Sequence, residues 1–243
     1  MNKPLLDDRA APDRSRTRHA CLESNDFLRR CRQRARVVAP GTELVDEGQD
    51  APGALWLLSG QVGLHKTLAE GRAVLFDLLL PIDVFRPAAA DMASSCFRVT
   101  AQETSVVAFF THAEHDQLPS RCRGLGPIVD LLEAARRSRQ AERMLRIVQG
   151  RGEAKVAFLL LELALRADRR AVLAHQPCRV DLSQRAIGEM TGLSNVHVCR
   201  VMRALSGRGI LRPGDSGTEL RDIPALAELA QTEPAALAAA ILI

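Results

Sequence analysis

Between Ser183 and Arg212 five arginines stand against one acid, Glu189. A surplus of guanidinium groups suits the neutralisation of phosphates, and the residues between them supply a shape. Ser183 can cap a short helix in which Ile187 and Met190, three apart, share a buried face. Gly192 ends that helix and provides a tight turn. Ser194 caps a second helix, with Val198, Val201, Met202 and Leu205 as its buried stripe. That leaves Asn195, Val196, His197, Cys199, Arg200 and Arg203 outward. An apolar face to anchor a helix and a cationic face to enter a major groove make a helix-turn-helix. Ser183, Gln184 and Ser194 are expected to bind DNA together with these outward residues. Ile210–Arg212 and Glu219–Arg221, joined by a turn over Pro213–Gly217, read as a two-stranded wing. A helical hairpin used only for packing has no need of the caps, the wing and the charge together.

The remaining chemistry-bearing residues are cysteines and histidines. Six cysteines lie at 21, 31, 96, 122, 178 and 199, with no CxxC and no zinc-knuckle spacing. Cys21, Cys31, Cys96 and Cys122 lie outside the helix-turn-helix, and four thiolates suffice for an iron–sulfur cluster. The plainer alternative is buried cysteine, a common core residue. His112 and His115 with Cys122 suggest a metal, but the first turn of a capped helix is where exposed polar residues belong, and no metal is expected. His65 is a lone histidine on a strand. Cys199, beside Arg200, is either a thiol that oxidation would turn against DNA or a small residue that fits beneath the backbone. No nucleophile–base arrangement, P-loop or metal motif supports an enzyme.

These residues need elements to hold them. The chain has 243 residues, 47% hydrophobic and 26% charged, with a net charge of +4. That excludes a disordered chain and leaves room for two modest domains. Seven Phe, one Trp and no Tyr offer few platforms for stacking single-stranded bases. No apolar run reaches membrane-spanning length, and Met1–Arg18 lacks the apolar core of a secretory signal. Reduced cytoplasmic thiols are therefore expected. Residues 1–20 read as a flexible arm. A short helix is predicted over Asn25–Arg34. Short apolar runs punctuated by Gly and Pro then give an antiparallel barrel or jelly roll over 21–125. In it Trp56 and Leu58 share one face, and Leu55 and Leu57 the other. Thr111 and Glu114 match a capping box. A long helix follows over 126–150. Its Ile128, Leu131, Leu132, Ala135 and Leu145 suggest a dimer seam, the alternative being a core helix lying on the barrel. Residues 151–225 form a winged helix-turn-helix domain and 226–243 a tail. The fold class is α+β.

The chain resembles the Crp/Fnr family of bacterial transcription regulators over roughly residues 22–223. The likeness rests on Pro40-Gly41, Leu44, Glu47-Gly48, Leu55–Gly60, Gly71-Arg72, Glu103–Val107 and Leu182–Leu211. The resemblance implies a homodimer, an effector-sensing roll related to cyclic-nucleotide-binding domains, and palindromic double-stranded DNA as partner, with RNA polymerase as a further one. Members that bind cyclic nucleotide carry a Gly-Glu pair for the ribose and an Arg-Ser or Arg-Thr pair for the phosphate. Between Pro81 and Val99 there is no Gly and no Glu, and the phosphate position falls near Cys96. Cyclic AMP is not the expected effector. Iron–sulfur members place a cysteine where this chain has Ala108. Arg200 matches the family's base-reading arginine, while Val196 stands in place of the usual acid. The competing reading is a redox sensor acting through protein contacts, with a helix-turn-helix silent on DNA.

Overall fold

The computed structural model describes residues 25–50, 53–87, 94–122, 124–214 and 217–241. The expected arm and Cys21 lie outside them. Helix α1 (Asn25–Arg34) leads into eight strands: β1 (Ala35–Val38), β2 (Glu43–Val45), β3 (Ala54–Ser59), β4 (Val62–Thr67), β5 (Ala73–Leu79), β6 (Val84–Phe85), β7 (Arg98–Ala101) and β8 (Ser105–Phe110). They form two antiparallel four-stranded sheets, ordered β1-β8-β3-β6 and β2-β7-β4-β5. The period-2 reading of β3 holds. Leu55 and Leu57 point between the sheets, into a core with Val62, Leu64, Val99 and Val107. Trp56 points the other way, against Phe27 of α1 and the helices that follow.

Helix α2 (His112–Arg121) starts on the capping box, with both Thr111–Glu114 bonds formed. Its His115 is not exposed as expected. It is buried beside Trp56, and burial lowers its pKa. Helix α3 (Leu125–Gln149) is about 37 Å long at 1.5 Å per residue. Its first half lies on the roll, where Leu125, Ile128, Val129 and Leu132 join the Trp56 core. Ile128, Leu132 and Ala135 are therefore spent within the chain rather than offered to a partner. Leu131 is half-buried. Only in the last turns does the helix expose large apolar side chains: Met144 (65%), Leu145 (55%) and Val148 (68%).

The row Ile128–Leu132–Ala135 continues, three and four residues at a time, to Arg139 and Arg143, and both are buried. Their partners come from β5, from the turn after it, and from α4 (Gly152–Ala167). Arg143 donates to Asp77 at 3.1 Å and to Glu162 at 2.6 Å. Arg166 donates to Glu162 at 3.2 Å, and to Asp83 and the Leu78 carbonyl at 2.7 Å each. Arg139 stands 3.9 Å from both Asp83 and Glu162. Burial pushes Arg139 down to about 10, reinforced by Arg166, so it is still a cation at neutral pH. Burial alone would raise the Asp77 carboxyl; Arg143, Arg166 and Arg139 outweigh it and hold it below the usual range. Three cations and three carboxylates thus balance where the roll, α3 and α4 meet.

The second domain is built on α4, whose side chains from Val156 to Leu165 are all buried. Around it lie α5 (Arg169–Leu173), β9 (Cys178–Val180), α6 (Gln184–Thr191), α7 (Asn195–Gly207), β10 (Leu211–Pro213), β11 (Thr218–Leu220), α8 (Ile223–Leu229) and α9 (Pro234–Ala240). The wing gains a third strand, since β11 pairs with β9 as well as with β10. The supposed tail is part of the core. The boundary at 225 cuts α8, and Leu226, Leu237, Ala238 and Ile241 pack with Phe158 and its neighbours.

Candidate nucleic-acid interface

The caps read from the sequence are formed. Ser183 Oγ accepts from the Ala186 amide at 3.2 Å, and Ser194 Oγ from the His197 amide at 3.3 Å. Each bond satisfies a helix-end donor that would otherwise point at solvent. Gly192 sits at φ 70°, the left-handed conformation that lets α6 end and α7 begin within three residues. Val198, Val201, Met202 and Leu205 of α7 are buried as expected. Ser183, Gln184, Ser194, Asn195, Val196, His197, Arg200 and Arg203 are exposed, and Cys199 is half-buried.

These side chains do not all face one way. Val196, Cys199, Arg200 and Arg203 share the face opposite Val198 and Leu205, by helical geometry. Arg203 Nη2 lies 3.8 Å from Cys199 Sγ. Asn195 leans toward α6, with its Oδ1 beside Gly188. His197 turns to the start of α4, where any Cβ at Gly152 would collide with its ring. Gly152 is thus a point of close approach between α4 and α7. A cleft of about 1010 Å³ runs along this side, lined by Arg151, Gly152, His197, Arg200 and Arg208 with Glu228. Arg208 lies 3.6 Å from Glu153. Among the described residues neither Arg200 nor Arg203 has an acidic partner.

The reading unit is tied to the roll by contacts absent from the sequence reading. Glu189 of α6 accepts from the Leu75 amide of β5 at 3.0 Å, and Gln61 donates to the Asp181 carbonyl at 3.3 Å. With the buried charge junction, they fix the helix-turn-helix on the sensing half.

Residues 154–229 match the family model of the Crp-like helix-turn-helix domain, and residues 35–122 that of the cyclic nucleotide-binding domain. The chain belongs to the Crp/Fnr family. Among solved structures, FixK2 from Bradyrhizobium japonicum is 23% identical, with 80% of this chain and 96% of that one covered and a TM-score of 0.67. The CRP-family regulator TTHB099 from Thermus thermophilus is 20% identical, covering 81% and 97%, with a TM-score of 0.61. The c-di-GMP responsive regulator CLP from Xanthomonas campestris is 14% identical, covering 80% and 97%, with a TM-score of 0.61. At these identities the likeness is one of fold. A sequence search of curated proteins returns no match.

As a Crp/Fnr regulator the chain pairs a DNA-binding helix-turn-helix with a sensory roll. Among the described residues of that roll, the arginines near the expected phosphate position already have carboxylate partners. Arg98 is engaged by Glu43 at 3.5 Å and Asp46 at 3.1 Å, and Arg86 by Asp116 at 3.5 Å. Near the expected phosphate position Ser95 is buried and donates to the Phe97 carbonyl at 2.6 Å. Phe97 stacks with Phe76 at 5.1 Å and Phe85 at 6.0 Å. Aromatic rings thus cluster beside that position, and the Lys66 ammonium stands 5.8 Å from the Phe97 ring.

Nor do the described cysteines gather. Cys31 and Cys122 share the Trp56 core, whereas Cys96 lies by Lys66 on the opposite sheet. Among the described residues no group of three or more His, Cys, Asp or Glu is placed to hold a metal ion. Burial pushes the Cys31 thiol up to about 12 and Cys178 to about 11, which leaves both protonated and unreactive at neutral pH. His65 lies 3.3 Å from the Gln102 amide nitrogen and is half-buried.

Proposed function

We propose that the protein is a homodimeric, cytoplasmic regulator that binds a palindromic DNA site through α7 and responds to a signal other than cyclic AMP. The observation that carries this reading is the outward face of α7. Arg200 and Arg203 are exposed and unopposed by acids on a helix fixed by two serine caps and a buried stripe. A DNA-silent helix-turn-helix gains nothing from such a face. Guanidinium groups free of carboxylates on a rigid helix suit bidentate contact with guanine O6 and N7. The dimer we place on the exposed end of α3, through Met144, Leu145 and Val148. The half-sites are then expected about one helical turn apart.

Binding-site selection followed by gel shift tests the reading. Arg200→Ala should abolish specific binding, removing about 1–3 kcal/mol of base discrimination while non-specific affinity persists. A selected site without dyad symmetry would overturn the dimer, and undiminished specificity in Arg200→Ala would overturn the assigned reader.

Cys199 supports an oxidant-sensitive form of the same activity. Of the described cysteines it alone lies on the reading face, with Arg203 against its sulfur. Peroxide converts the thiol to a sulfenic acid, releasing water, and higher oxidation adds negative charge beside DNA phosphates. Peroxide-treated protein is expected to bind its site more weakly, and Cys199→Ala to be indifferent. A variant that remains sensitive would move the sensing thiol elsewhere.

A further inference from the structure

Val196 is 71% exposed at the second position of α7, in the turn that follows the Ser194 cap. With about 3.6 residues per turn, it points directly away from the buried Val198 and Leu205. It shares its face with Cys199, Arg200 and Arg203. On a face otherwise made of cations and a thiol, it has neither donor nor acceptor. Its branched Cβ also leaves essentially one χ1 rotamer in a helix, so its two methyl groups are held in a fixed place.

Such a side chain discriminates between bases in only one way. In the major groove guanine and adenine present acceptors at N7, cytosine a donor at N4, and thymine a carbonyl plus a C5-methyl group. Pressed against a donor or acceptor, a valine leaves that group desolvated and unpaired, which is costly. Pressed against the thymine methyl, it removes apolar surface from water on both sides. The side chains on either side of it are turned elsewhere. The Asn195 amide is turned to Gly188 and the His197 ring to Gly152.

We propose that Val196 reads the C5-methyl of one thymine in each half-site, beside the base pair addressed by Arg200. The inference rests on α7 being the DNA-reading helix and adds which chemical group on the DNA it recognises.

Deoxyuridine lacks only that methyl group, so substituting it for thymidine one position at a time in the selected site isolates the contact. For the wild-type protein one thymine per half-site should respond, with affinity falling about fourfold for one half-site and about fifteenfold for both, the worth of a buried methyl. Val196→Ala should bind the thymidine and deoxyuridine sites alike. Val196→Glu should shift the selected base at that position toward cytosine, whose N4 amine donates to a carboxylate. If specific binding is intact but the deoxyuridine scan is flat, the methyl contact is wrong while the DNA-reading assignment stands. If Val196→Ala keeps the deoxyuridine response, another residue reads the methyl. If no specific site can be selected at all, the reading beneath the inference fails first.

Discussion

Glu162→Ala is expected to cost about 3–5 kcal/mol of folding stability, the usual consequence of removing one partner from a buried ion pair. Glu162 is fully buried and bonds to Arg143 and Arg166. Without it, Arg139, Arg143 and Arg166 face only Asp77 and Asp83 inside the protein. A second substitution separates charge imbalance from lost packing. Arg143→Met combined with Glu162→Leu removes one cation and one anion, keeps the interior filled, and leaves two pairs in balance. The double variant should recover most of the stability lost in the single one, read by denaturant unfolding at neutral pH. A cost below about 1 kcal/mol for Glu162→Ala, typical of exposed pairs, would show that the junction holds nothing. The sign of the pH dependence follows from Asp77. Its carboxyl is held below its unfolded value of about 3.9. Its contribution is therefore complete above that value and is lost as the pH falls through the depressed folded one.

The junction also marks where the sequence stopped being legible. Caps, turns and alternation are local, so Ser183, Gly192, Ser194, the Thr111–Glu114 box and the two faces of β3 could all be read from short windows. The partners of Arg143 lie 67, 66 and 19 residues away along the chain, beyond any local pattern. A signal was nonetheless present: the row beginning at Ile128 and Leu132 keeps its spacing while its residues change from apolar to arginine. Read by its apolar residues alone, the row stops at Ala135, although the helix turns the same face inward as far as Arg143. The exposed, cationic side of α7 was legible for the converse reason, since its charge has no acidic partner anywhere among the described residues. The orientation of His197 toward Gly152 was not, because it depends on how α4 meets α7.

That inward face relocates the proposed dimer contact, and with it the variant that should break it. Leu132→Glu would place a carboxylate in the chain's own core with Phe27, Trp56 and Leu118, and is expected to damage folding whether or not the protein dimerises. Leu145→Glu is the discriminating change. Leu145 is 55% exposed, and Met144 and Val148 beside it are more so. Ala141, one turn earlier, is exposed and small enough to let a second helix approach. The monomer loses little from a charge at an exposed helical position, so stability should stay within about 0.5 kcal/mol of wild type. A two-fold interface juxtaposes the same patch from both chains, so Leu145→Glu sets two carboxylates together in an apolar contact. Sedimentation should then show monomers at micromolar concentration. Affinity for the palindromic site should fall about a hundredfold or more, because the second half-site is no longer engaged by a linked partner. Affinity for a single half-site should be unchanged, which ties the loss to dimerisation and not to α7. If Leu145→Glu sediments as a dimer, the contact lies on another surface of the molecule.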